Sequence, residues 1–323
     1  MSARQDILEW TESGRIAPQD LRRALEAGAV LPDRERWRAF LDRLLLWLGV
    51  VMLYASATFF LAYNWSEMGR YAKFALAEGL VLAALAALWW RGLETLAGKG
   101  ALLAAALFTG ALFALIGQTY QTGADTFELF AVWAAAILPW TLLARFPALW
   151  VLWLALVNLA LVLYFQAFHG LLGVMFGPER QLWLLFGLNT VALAVWECLE
   201  RLGLEWLRER WAPRLVGTAS GVLVTTLAVM DVFTSREADG GGVAWIAWMV
   251  AAYFVYRRWA KDVYMLAGGV LSGVVVVAAF LGRVMSDSRM EAGVFLFIGL
   301  VVIGLSAAGG FWLRNVAHEG DAS

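Results

Sequence analysis

Cysteine, histidine and charge are all scarce in this 323-residue chain: one Cys, two His, and Asp, Glu, Lys and Arg at only 16% of positions. A lone Cys198 excludes an intramolecular disulfide, a CxxC redox pair and a thiolate metal cage. His169 and His318 are too far apart for HExxH zinc chemistry. Neither histidine falls inside an apolar run, so intramembrane Ser/His hydrolysis has no base. The YD and GxGD aspartates of intramembrane proteases, the P-loop and the dinucleotide fingerprint are also missing. A net charge of -1 without a concentrated basic face excludes a nucleic-acid partner. No catalytic residue, metal or cofactor can be nominated, and the expectation is a protein that is not an enzyme.

What the chain has in excess is hydrophobic residues, 62% of the total, against about 45–50% in a typical soluble domain. They gather into runs close to the length of about 18 residues that carries a helix across the ~30 Å hydrocarbon core. Ten runs are visible, at 44–63, 72–90, 101–117, 127–143, 148–168, 181–197, 214–233, 241–257, 263–282 and 293–313. The third, fourth, sixth and eighth are short, which leaves eight to ten spans open. Long runs without two-residue alternation mean helices and not barrel strands. The expected fold is all-α and polytopic, with a lipid bilayer as its main partner.

Amphipathic rings collect where hydrocarbon meets headgroups, and Trp65, Trp89, Trp90, Trp150, Trp183, Trp259 and Trp312 fall at or near run ends. Trp133 and Trp153 lie inside runs and suit ordinary packing. Of the Lys and Arg near run ends, fifteen fall on the side of the N-terminus and six on the other under ten spans. Basic loops mark the cytoplasmic face, so both termini are expected inside. The predicted organisation is a cytosolic module at 1–43, spans one to six at 44–197, a charged cytosolic loop at 198–213, spans seven to ten at 214–313 and a cytosolic tail at 314–323.

The module reads as three short helices. Gly14 and Gly28 are placed to end the first two in left-handed caps, and Pro18 and Pro32 to start the next. In the third, Trp37, Phe40, Leu41 and Leu44 follow helical spacing, which predicts a segment lying along the interface before turning into the first span. The loop "ECLERLGLEWLRERWAPR", 197–214, reads as a surface helix more readily than as a docking site.

One stretch, "IGQTYQTGADTFELF" at 116–130, interrupts the apolar runs with eight polar residues and no Lys or Arg. A plain connector needs only a few small polar residues, whereas this one brings amides, a phenol and carboxylates to neighbouring helix ends. On the orientation above it faces outside. Together with Asn64, Trp65, Glu78 and His169 it defines a candidate solute site: Asn64, Trp65, Glu78, Gln118, Tyr120, Gln121, Asp125, Glu128 and His169. The carboxylates favour a cation or amine and the amides fix orientation. A carboxylate inside hydrocarbon costs about 2.5–3.5 kcal/mol at a helix centre. Glu78, roughly 9 Å into its span at 1.5 Å per residue, is therefore expected either to pair with Lys73 or Arg70 or to line a cavity with Ser56, Thr58 and Asn64. Asn158 and Asn189 are expected to hydrogen-bond between helices.

The helical lead Trp10, Gly14, Ile16, the pair Asn64–Trp65 after the first span and Gly117, Gln118, Tyr120 after the third resemble bacterial membrane proteins grouped as domain of unknown function 2157. The resemblance covers about residues 5–145. It implies the bacterial plasma (inner) membrane and draws attention to the same loops, and it carries no activity or catalytic residue.

In the second half, Gly217 with Gly221, Gly269 with Gly273, Gly304 with Ala308 and Ser306 with Gly310 are small residues four apart, suited to close helix packing or a homo-oligomer. "ADGGGVAW", 238–245, reads as a flexible turn. Spans one to six carry polar groups, and spans seven to ten carry packing signals. The leading expectation is binding or transport of a small cationic or polar solute. The alternative is a scaffold or sensor whose N-terminal helices dock a cytosolic partner and whose outer loops meet an envelope protein, and an envelope-modifying enzyme comes third.

Overall fold

The computed structural model describes residues 3–28, 30, 34–63, 68–120, 123–167, 178–234, 240–285 and 291–321. Among them every regular element is helical, and nine helices are long and apolar enough to cross a membrane. All ten expected runs appear as helices. The chain divides into two compact units, the first essentially 7–174 and the second 175–323.

The first unit takes in α1 (Ala3–Glu12) from Ile7 onward, a single 3-10 turn (Pro18–Asp20) and α2 (Leu21–Ala27). Gly14 has a φ of +75°, the expected left-handed stop after α1, but Gly28 sits at -75° and closes α2 without one. A side chain at Gly28 would collide with Ile7, which is buried there. Pro32 lies outside the described residues.

Next comes α3 (Arg34–Tyr63), 30 residues without a break. The expected turn between an interfacial segment and the first span is absent, because nothing between Arg34 and Leu48 is a Gly or Pro that would interrupt the helix. Trp37, Phe40, Leu41 and Leu44 remain exposed on it.

The unit continues with α4 (Arg70–Arg91), α5 (Leu96–Tyr120), α6 (Thr126–Ala144) and α7 (Pro147–Ala167). Their stops are local. Gly92 leaves α4 at a φ of +80°, and Arg145 caps α6 in the left-handed region just before Pro147 opens α7. Thr95 begins α5, its Oγ1 accepting from the Gly98 N–H at 3.0 Å.

Of these helices α5 is the axis, packed on α3, α4 and α6. Its small residues make that possible. Ala105 and Ala106 are fully buried, and a side chain at Gly110 would lie 2.3 Å from the Trp133 ring of α6. Trp133 also donates its indole N–H to the Ala106 carbonyl at 2.8 Å, so it is a packing residue, as its position inside a run implied. At the other end Trp47 stacks on Phe146, centroids 5.5 Å apart.

The second unit is built on α8 (Pro178–Arg201), α9 (Trp211–Phe233), α10 (Gly241–Phe254), α11 (Val263–Val284) and α12 (Glu291–Asp321). Its axis is α9, which packs on α8, α10 and α11, while α12 packs on α11. The eighth run is indeed short: α10 has 14 residues and passes into a five-residue π turn, Val255–Trp259. Val243, Ile246 and Val250 form an exposed strip along it.

The glycines before α10 do more than turn. Gly240 has a φ of +86°, and a side chain at Gly241 would sit 2.6 Å from the Leu227 carbonyl, so glycine is what lets α9 and α10 meet this closely. The Gly242 N–H then donates to Asp231 at 2.8 Å.

Small residues four apart are a partial guide to packing here. Gly217 and Gly221 do face neighbours, Met265 and Trp248. On α12 the contacting residue is Gly309, against Val270, while Gly304 and Gly310 face open space. The spacing shows that a smooth face exists, not which face a neighbour covers.

Candidate functional site

The polar stretch 116–130 joins the end of α5 to the start of α6. A groove of about 480 Å³ opens there, lined by Gln118, Asp125, Thr126 and Glu128 over an apolar floor that includes Phe113 and Leu129. No Lys or Arg is among its described lining residues. Asp125 occupies the N-cap position of α6 with an extended backbone, yet its carboxylate makes no capping hydrogen bond, and Glu128 follows in the first turn. Both carboxylates are exposed. Neither is used to hold the helix, so both remain available to a ligand.

Three of the expected site residues thus come together: Gln118, Asp125 and Glu128. Tyr120 turns away to pack on Phe74 of α4, ring centroids 5.8 Å apart. Glu78 lies exposed on α4 outside the groove and, among the described residues, makes no ion pair, so the expected pairing with Lys73 or Arg70 is not formed. In the unbroken α4, Lys73 and Arg70 lie five and eight residues before Glu78, outside the three- or four-residue spacing that brings helical side chains together. Asn64, Trp65, Gln121 and His169 lie outside the described residues. Asn158 and Asn189 each donate to the carbonyl four residues back in their own helix, Leu154 and Leu185. An intrahelical carbonyl is always within reach of a side chain this short.

The second unit contains a site that composition and spacing did not signal. Arg210, just before α9, donates to Glu197 (3.0 and 3.1 Å) and Glu200 (2.8 Å) of α8 and to Asp262 (3.3 Å) before α11. Arg214 meets both oxygens of Asp262 at 3.0 and 3.2 Å, and Tyr256 of the π turn donates to Glu197. Glu197, Asp262 and Tyr256 are buried. Asp262 also caps α11 through the Tyr264 N–H at 3.1 Å.

Burial alone would raise the Asp262 carboxyl, but the guanidiniums of Arg214 and Arg210 outweigh it and hold it below the usual carboxylate range. Burial likewise disfavours charge on Arg210, and Glu197, Glu200 and Asp262 more than compensate, raising its affinity for its proton. Sequence reading treated this loop as a surface helix because the partners are separated by up to 59 positions. The one local hint is Lys-Asp at 261–262 before an apolar run, which marks Asp262 as an N-cap and nothing more.

Below the ionic cluster the helices are joined by hydroxyls and indoles. Thr190 of α8 shares a hydrogen bond with Ser220 of α9 at 2.7 Å, and Trp248 of α10 donates to the same Ser220 at 3.0 Å. Trp245 donates to Ser272 of α11, which also pairs with Thr225 of α9. The expected contrast between polar spans one to six and merely packed spans seven to ten does not hold among the described residues, because hydroxyls and indoles join span six to the helices after it. The connected polar network lies in α8–α11.

These features define a multi-pass membrane protein with an acidic groove at one pair of helix ends in the first unit and a buried ionic knot in the second. Residues 8–150 match the family described as "Predicted membrane protein (DUF2157)", so that part of the chain, which holds the groove, is similar to it. The match stops short of the ionic cluster. No curated protein and no solved structure matches the chain.

Proposed function

We propose that the groove between α5 and α6 binds a small cationic solute, with an amine bearing an apolar substituent as the best fit. The observation that carries this reading is the lining itself: two carboxylates and an amide, no basic side chain among the described residues, and an apolar floor. A cation there is attracted by Asp125 and Glu128, while Phe113 and Leu129 take up its hydrocarbon part. Binding or transport of that solute is the activity, and the reading assigns no catalysis. With all ten runs crossing, fifteen Lys and Arg against six support cytoplasmic termini in a bacterial inner membrane and a groove that opens outside.

Two measurements test this. A reporter active only outside the cytoplasm, fused at Gly123, is expected to be active, and inactivity would reverse the orientation. Thermal unfolding of the purified protein is expected to shift upward with aliphatic amines, and the shift to vanish in Asp125→Asn/Glu128→Gln. An equal shift in wild type and variant removes the groove from consideration. Uptake into proteoliposomes then separates binding from transport.

A scaffold role draws support from Trp37, Phe40, Leu41 and Leu44, which stay exposed at the start of α3. Co-purification of a cytosolic protein that depends on residues 1–40 supports it, and bound phospholipid alone at that face opposes it.

A further inference from the structure

A second groove, of about 540 Å³, lies in the second unit between α9 and α11, floored by Trp248 of α10. Three glycines form it: Gly217, packed on the end of the Met265 side chain, Gly221, where an added Cβ would lie 3.1 Å from the Trp248 ring, and Gly268, which has open space above it. Its walls are Val222, Ala267, Leu271 and Val275. It follows α11 from Tyr264 to Val275, about 16 Å at 1.5 Å per residue, or about half of the ~30 Å hydrocarbon core. That is the depth of one leaflet.

The mouth is polar. Thr218 and Tyr264 share a hydrogen bond at 3.0 Å, and the Arg214 guanidinium lies 5.4 Å from the Tyr264 ring centre. Both hydrogen bonds of the Arg214 side chain to Asp262 leave from Nε. Among the described residues Nη1 and Nη2 have no hydrogen-bond partner, and the side chain is 41% exposed. The neighbouring carboxylates Glu197 and Glu200 are engaged by Arg210.

We propose that this groove holds one acyl chain of a membrane phospholipid, its phosphate bound by the Nη groups of Arg214 beside the Tyr264 and Thr218 hydroxyls. Length and charge both select that occupant. A single chain anchored at headgroup level reaches the end of the groove at mid-bilayer. A guanidinium whose two Nη groups are free presents their fork to phosphate oxygens. A neighbouring protein helix would fill the apolar part and leave those donors unmatched.

The test is native mass spectrometry of the full-length protein released from phosphatidylglycerol vesicles into a delipidating detergent. Wild type is expected to keep one phospholipid, and Gly268→Leu, whose added side chain enters the groove without a clash, is expected to keep none. Val222→Trp fills the groove from the other wall and is expected to do the same. Arg214→Gln is expected to weaken rebinding of added phosphatidylglycerol about tenfold, the equivalent of one hydrogen bond to a charged group. The proposal is overturned if wild type keeps no lipid, if it keeps a second copy of the chain in place of one, or if both filled variants hold lipid as firmly as wild type.

Discussion

Two groups of carboxylates, one in each unit, have opposite surroundings. Asp125 and Glu128 stand exposed at the start of α6, and Asp125 leaves its capping role unfilled. Glu197 and Asp262 are buried and committed to Arg210, Arg214 and Tyr256. The first pair costs the fold little and is open to an incoming cation. The second carries its cations with it, and removing one of them leaves buried charge behind. Carboxylates of one kind therefore serve recognition in one unit and architecture in the other, and the difference lies in burial and partners.

The sharpest way to break that comparison is Arg210→Met. With the guanidinium gone, Glu197 stays buried without its cation and Asp262 keeps only Arg214, and a loss of about 3–5 kcal/mol is expected. Thermal unfolding in detergent reads it directly. A change no larger than that of Arg22→Ala, whose pair with Glu26 is exposed, would show that the knot is not structural.

Next in size is Gly110→Ala. The new methyl meets a rigid indole, which cannot yield as a flexible side chain would, and about 1–3 kcal/mol is expected. Trp133→Phe in the same background should recover part of the loss. If it recovers nothing, the close approach of α5 and α6 does not depend on this contact.

The pH dependence follows from Asp262. Its folded-state affinity for a proton is lowered, so its stabilisation is complete above the ordinary carboxylate range and is lost as pH falls through the folded value. Wild type should therefore unfold more easily as pH drops below about 4, the ordinary carboxylate value, and Asp262→Asn should show a shallower decline from a lower starting point. Parallel curves would remove Asp262 from the account.

The smallest effect belongs to the other pair. Asp125→Asn/Glu128→Gln is expected to change stability by less than about 0.5 kcal/mol, as exposed substitutions usually do, while abolishing the response to amines. A large loss of stability would move these residues into the architectural class.

Much of the fold is legible without coordinates because hydrocarbon length dictates helix length. Every apolar run became a helix, and the cluster of Gln118, Asp125 and Glu128 was readable since all three lie within eleven positions of one loop. The ionic knot was not readable. Glu197, Arg210, Tyr256 and Asp262 come from four separate elements, and each alone looks like an ordinary residue at a helix end. The packing glycines were half readable: Gly217 and Gly221 announce a smooth face, but whether Gly309 or Gly310 meets α11 depends on helix rotation, which spacing does not encode. The continuity of α3 was misjudged for a related reason. An amphipathic stretch followed by an apolar one invites a bend, yet the backbone bends only where a residue type allows it.

The brevity of α10 has a consequence for the bilayer. Its 14 α-helical residues reach about 21 Å at 1.5 Å per residue, and the turn that follows adds only Val255 and Tyr256 before Arg257 and Arg258. Protein covers the side toward α9 and α11, but Val243, Ile246 and Val250 face outward. Lipids along that strip meet an apolar surface shorter than their own chains. Hydrophobic mismatch of this kind is relieved by local thinning, at fractions of a kcal/mol per Å. The second unit should therefore carry a dimple in the membrane on its α10 side, and Arg257 and Arg258, at the end of that helix, are placed where headgroups are drawn inward.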